Sequence, residues 1–194
     1  MKRSIITLAL LVLTSFAFAQ ESTYFFPKSN KINRAGMMVL GGWAIANMAT
    51  GTYGTLKFSG EEKYFHQMNL MWNVVNAGIA SYAIYQFYNT DYTSFTSAQQ
   101  LAKHIDTERL YLINAGLDVL YMAGGAIMIN ASKKNEKRRD LLSGYGKSVV
   151  LQGGFLFVFD LAMYFIQYNH RINFGPHVQS LSITPMGLSA SFTF

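Results

Sequence analysis

"YFHQMNLMWNVVNAG", residues 64–78, decides the fold. It lies in a run of 27 residues, between Lys63 and Asp91, that holds no lysine, arginine, aspartate or glutamate. About 20 helical residues cross ~30 Å of hydrocarbon, so the run is long enough for a bilayer. Yet it carries His66, Asn69, Asn73 and Asn76. On a helix turning about 100° per residue, these four fall within an arc of about 80°, and Ala77 and Ala80 continue the same face. The pattern predicts a helix whose asparagines face other helices, leaving Met71, Val74, Val75 and Ile79 to lipid or neighbours.

Three other stretches share this length. Arg34 and Lys57 bracket 22 uncharged residues; Arg109 to Lys133 and Lys147 to Arg171 each leave 23, broken only by Asp118 and Asp160 respectively. Only 13% of the 194 residues are charged and 51% are hydrophobic, about half the charged share of a soluble domain. Mean hydropathy is only modestly positive, so the membrane reading rests on these segments. They predict spans at about 35–56, 64–88, 110–130 and 148–169.

The start of the chain adds an address. Lys2 and Arg3, the apolar run Ile5 to Val12 and "AFA" at 17–19 form a secretory signal peptide over 1–19, with cleavage expected after Ala19. A periplasmic segment, 20–34, then precedes the membrane domain 35–169. The chain has no cysteine, which excludes disulfides, thiol catalysis and a lipoprotein anchor. Between the third and fourth spans, Lys133, Lys134, Lys137, Arg138, Arg139 and Lys147 make the densest basic cluster. So basic a short loop belongs in the cytoplasm, which agrees with an exported N-terminus and sets both mature termini in the periplasm. No aromatic residues are interleaved with that cluster, so nucleic acid is not the expected partner. The lipid bilayer is.

The tail, 170–194, alternates polar and apolar residues around Pro185-Met186-Gly187, as a hairpin does. The expected fold class is therefore all-α: a four-helix transmembrane bundle of the inner membrane with a short C-terminal β-hairpin. Two other locations stay open, a soluble secreted bundle in the periplasm and, because the chain ends on Phe194, the outer membrane.

Polar stripes recur on the other spans. Tyr111, Asn114, Asp118, Tyr121 and Gly125 share one face of the third. Gln152, Asp160, Tyr164 and Gln167 share a broader arc of the fourth, and Asn47 lies one turn beyond Trp43 in the first. Asn47, Asn76, Asp118 and Asp160 each fall within three residues of their span's midpoint, about 5 Å along the axis. They are the candidate central cluster, supported by His66, Asn69, Asn73, Asn114, Tyr121, Gln152 and Tyr164. Interhelical hydrogen bonding accounts for the amides and tyrosines. The aspartates ask for more, because a carboxylate at mid-bilayer costs at least ~2.5 kcal/mol and no span contains a lysine or arginine. Each must be protonated and hydrogen-bonded, share a proton, or hold a cation.

No metal site or cofactor is expected. The spans lack the Glu and Glu-x-x-His pattern of four-helix di-metal centres, and His66 stands near the cytoplasmic end. His104, His170 and His177 are expected to be solvated. No G-x-S-x-G, phosphate loop or HExxH motif occurs, so the chain does not read as an enzyme. "GGWAIAN" at 41–47, "YFHQMNLMWNVVN" at 64–76 and "FDLAMY" at 159–164, together with the signal peptide and four short spans, resemble a family of uncharacterised small membrane proteins of flavobacterium-like Gram-negative bacteria. That resemblance implies no activity. The function expected is a structural or accessory membrane protein with a polar packed core; the rival is a proton- or cation-linked carrier using Asp118 and Asp160. Four helices are few for a transport pathway, which leaves a homo-oligomer or an envelope partner open.

Overall fold

Short polar breaks between long runs of helix-compatible residues set the course of the chain. The computed structural model describes residues 2–174, 177–184 and 187–193, with side chains over 25–173 apart from Thr93. Helix α1 runs Lys2–Lys57, α2 Gly60–Asn89, α3 Ser97–Ser132 and α4 Arg139–Phe174. Each break has a local cause. Gly60 opens α2 with φ +58°, a left-handed backbone that glycine adopts without steric cost, and a Cβ there would stand 3.1 Å from Asp140 Oδ2. Thr96 starts α3 with reciprocal caps: its hydroxyl accepts from Gln99 N (3.3 Å), and Gln99 Oε1 accepts from Thr96 N (2.9 Å). Before α4, Asn135 Oδ1 accepts from Arg138 N at 3.1 Å and shapes the short turn Glu136–Arg138.

Connections this short force successive helices antiparallel. α1 packs along α2 and α3 along α4, and the two hairpins meet chiefly through α2 and α4, which run parallel. α2 and α3 make no extensive contact, so a gap separates the hairpins on that side. The α3–α4 seam is closed by glycine. A Cβ on Gly125 would lie 2.7 Å from Gly146 O, and one on Gly146 would lie 2.6 Å from Gly125 O. Backbones approach this closely where side chains are absent, as at membrane helix crossings.

Burial is inverted relative to a soluble bundle. The largest fully buried side chains are His104, Gln152, Gln167, Asn73, Ser29 and Ser148, all polar. The buried apolar cluster is small: Met37, Leu40, Ala80, Tyr111 and Met163. Outside, each helix presents aliphatic side chains; Ile45, Val75, Ile127 and Val158 are 69%, 62%, 69% and 66% exposed.

The sequence-based fold class needs one correction. The fold is the helical bundle alone. Residues 177–184 and 187–193 run as two antiparallel strands, but no helix packs extensively on them, so they add no β layer to it. The expected turn at Pro185-Met186 and the terminal Phe194 lie outside the described residues. Of the four expected spans, two fall in helices, α3 and α4, that are long and apolar enough to cross a membrane among the described residues. Formal charge alone set the expected spans, whereas in α2 the amides of Asn69, Asn73 and Asn76 lower the mean hydropathy. α3 also begins well before residue 110, because the polar stretch after Thr96 is part of it. α1 runs unbroken through the expected cleavage site.

Candidate functional site

The polar core divides into three levels along the bundle. Nearest the α1–α2 turn, an amide ring ties three helices. Trp43 Nε1 donates to Gln152 Oε1 (2.9 Å), Gln152 Nε2 to Asn69 Oδ1, Asn69 Nδ2 to Asn47 Oδ1 (2.9 Å), and Asn47 Nδ2 back to Trp43 O (2.8 Å). Asn73, fully buried one turn along, donates to Asn69 O at 2.8 Å, and Asn76 donates to Asn73 Oδ1 at 3.4 Å. Trp43 is fixed further by stacking on Phe155, with centroids 3.8 Å apart and planes 3° from parallel. Every donor and acceptor in the ring has a partner, which is the condition for a buried polar network to stabilise.

At the next level Asp118 and Asp160 lie close enough for their carboxyl groups to interact. Carboxylate oxygens only accept, so a hydrogen bond between the two would need a proton on one of them. Both residues are buried, and Asp118 Oδ2 is buried without a hydrogen-bond partner. The pair borders a cavity of about 400 Å³ that Asn76, Asn114, Trp72, Tyr121 and Phe159 also line. Tyr121 meets Trp72 edge to face at 5.0 Å across it. The space exists because α2 and α3 do not close on one another.

The third level lies near the α2–α3 connection. His104 Nε2 is 2.9 Å from Glu108 Oε1 and 3.1 Å from Gln167 O. Both are acceptors, so a proton sits on Nε2, while Ser29 Oγ lies 2.7 Å from Nδ1 and 3.3 Å from Gln167 Oε1. Arg171 Nε reaches both Glu108 oxygens at 2.9 and 3.0 Å. Gln167 Nε2 donates to Asn33 Oδ1 (2.6 Å), which also accepts from Tyr111 (3.2 Å). His170 Nε2 donates to Phe25 O at 2.9 Å. Burial, the dominant influence, lowers the pKa of the His104 and His170 imidazoles, and for His104 the nearby Glu108 partly opposes it.

Ser29, His104 and Glu108 line up as a nucleophile, base and acid would. Ser29 sits within α1, where backbone N–H groups are committed to the helix and cannot form an oxyanion hole.

The predicted cluster of four is thus split. Asn76, Asp118 and Asp160 share the cavity, whereas Asn47 belongs to the amide ring with Asn69 and Gln152. Asn114 and Tyr121 line the cavity. Tyr164 stacks on Tyr168 at 5.9 Å instead. His66 lies at the other end, stacked on Phe58 at 5.4 Å and pressed against Gly54, with Nδ1 buried and unpartnered. His104 and His170, expected in solvent, are buried, because α1 and α3 extend beyond the uncharged windows and pack together there. His177 lies among residues whose side chains are not described. The spacings Ser29/Asn33, His104/Glu108 and Gln167/Arg171, each i,i+4, carried this network in the sequence. Among the described residues, no three histidine, aspartate or glutamate side chains converge as a metal site would need.

A family of unknown function, DUF6992, matches residues 39–161. The chain belongs to it. The DUF6992 region holds the amide ring and the carboxyl pair, but not Ser29, Asn33, Gln167, His170 or Arg171 of the third level. "GGWAIAN" and "YFHQMNLMWNVVN" fall inside it, in keeping with the resemblance to an uncharacterised family. No curated protein and no solved structure matches the chain.

Proposed function

We propose that this DUF6992 member is an integral protein of the inner membrane, with all four helices crossing, no catalytic activity and a structural or accessory role. The observation that carries this reading is the inverted burial: polar side chains fill the interior while aliphatic ones face outward on every helix. Water would leave that surface unfavourably hydrated, whereas hydrocarbon would welcome it and strand the amides unless they faced inward. α2 then crosses despite its low hydropathy, because its asparagines never meet lipid.

Interfacial residues support the same placement. Tyr82, Tyr85 and Tyr88 are exposed towards the outer end of α2, with Arg34 5.7 Å over Tyr88, and Lys57 lies 5.0 Å over Tyr53 at the inner end. Arg34 to Lys57 is about 35 Å of helix. Lys57, Lys63 and the six basic residues of the third loop gather at the inner end, where Lys147 pairs with Glu61, so that end is cytoplasmic. Cleavage after Ala19 would leave Phe25 and Ser29 in place.

Because the chain has no cysteine, single cysteines report topology cleanly. Lys134→Cys should react with an impermeant maleimide only after the inner membrane is opened, and Lys103→Cys should react before. The reverse pattern would sink the orientation, and release of the protein by alkaline carbonate would sink the membrane reading itself.

A second reading, cation or proton binding, is favoured by one observation: Asp118 and Asp160 meet beside a cavity, and Asp118 Oδ2 is buried with no hydrogen-bond partner. The Asp118→Asn/Asp160→Asn protein should still fold but lose ion-linked behaviour. A protein that no longer folds would assign the pair a structural role.

A further inference from the structure

The cavity beside Asp118 is walled unevenly. Its polar groups are gathered around Asp118, Asp160, Asn76 and Asn114, while the remaining walls come from aromatic and aliphatic residues such as Trp72 and Phe159. No lysine, arginine or histidine lines it, so nothing there balances a negative charge or receives an anion. Its volume, about 400 Å³, is within the ~300–1,000 Å³ of small-molecule sites and far beyond a bare metal ion. Val75 and Ile79 of α2 and Leu117 and Tyr121 of α3 line it and are also exposed. Its mouth is therefore the gap between α2 and α3, on the outer face of the bundle.

We infer that this cavity binds a protonated primary or secondary amine carrying a flat apolar body, which enters sideways between α2 and α3. The inference rests on the second reading above and names its ligand. Three features select this chemistry. Asp118 Oδ2, on a residue only 3% exposed, lacks a donor; an ammonium N–H supplies one, and a quaternary ammonium does not. Two carboxyls and no cationic side chain border the cavity, so its lining suits a cation and not an anion. The aromatic walls that Trp72, Tyr121 and Phe159 contribute suit a flat apolar ring. A lipid acyl chain would fill the apolar part and leave Asp118 unpaired. A metal cation would find too few converging oxygens.

The test uses the full-length protein in lipid nanodiscs and calorimetric titration with three probes: 1-naphthylmethylamine, its N,N,N-trimethyl derivative and neutral 1-naphthylmethanol. The amine should bind saturably at one site per chain. The alcohol and the trimethyl compound should each bind more weakly by about tenfold or more, the worth of one charge-assisted hydrogen bond. Asp118→Asn should weaken the amine to the level of the alcohol. Should that variant fail to fold, Leu117→Trp, which fills the mouth without touching a carboxyl, should abolish amine binding. Equal binding of amine and alcohol, no amine binding, or amine binding unchanged in Leu117→Trp would each overturn the inference. The second reading is judged separately, by the ion-linked behaviour of the Asp118→Asn/Asp160→Asn protein, so a cavity that ignores the amine overturns this inference and leaves that reading standing.

Discussion

Replacing Gln152 with leucine tests whether the amide ring holds the hairpins together. Leucine closely matches glutamine in volume, so the substitution leaves little cavity and isolates the polar term. Gln152 is fully buried and makes two ring bonds, accepting from Trp43 Nε1 and donating to Asn69 Oδ1. Interhelical hydrogen bonds in membrane bundles average ~0.6 kcal/mol and reach about 1.7, so two lost bonds cost about 1 to 3 kcal/mol. Part of that is the penalty on the stranded indole N–H and amide oxygen. The assay is reversible unfolding in mixed micelles, run as a cycle with Asn69→Leu. If the ring acts as a unit, the double variant should cost less than the two singles added, by about the worth of the shared bond, 0.6 to 1.7 kcal/mol. A neutral Gln152→Leu together with strict additivity would refute the reasoning and make the ring incidental to packing.

Other expectations follow from single contacts. Gly146→Leu would drive a side chain into Gly125 O, and overpacking of this kind costs about 1–3 kcal/mol; an unchanged melting temperature in detergent would contradict the close α3–α4 crossing. Burial lowers the His104 pKa below its ordinary 6.5. Between the lowered value and 6.5 the unfolded chain binds more protons, so this contribution to stability is full above about pH 6.5 and is lost as pH falls. Ser29, Glu108, Gln167 and His170 face this imidazole, and His104→Gln should flatten the acid limb of the stability profile; an unaltered limb would count against it. Ser29→Ala should destabilise by about 1 kcal/mol through the lost hydrogen bond to His104, with hydrolase assays on ester substrates equally blank for both proteins; ester turnover lost in the variant would overturn the non-catalytic reading.

Much of the bundle was legible in the sequence because helical periodicity is local. The spacing of Asn69, Asn73 and Asn76 places them on one face whatever they touch, and all three are buried. Charge counting and apolarity differ for the same local reason: the first registers where lysines stop, the second how polar the uncharged residues are, so four uncharged runs include two helices that pass on apolarity. The boundaries near His104 and His170 were missed because a helix continues wherever packing continues, and polar residues at its ends look like loop until a partner covers them.

What the sequence determined by itself was the set of faces: which residues on each helix are polar, which are small and which are apolar. The partners of those faces came only from tertiary structure. Asn47 and Asn76 share a nominal depth, yet one joins Trp43 and Gln152 while the other lines a cavity with two aspartates. That outcome depends on which helices touch. Glycine at 125 and 146 draws α3 and α4 together, α2 and α3 stay apart, and the space left between them puts a pair of buried carboxyls beside an opening that no one-dimensional pattern records.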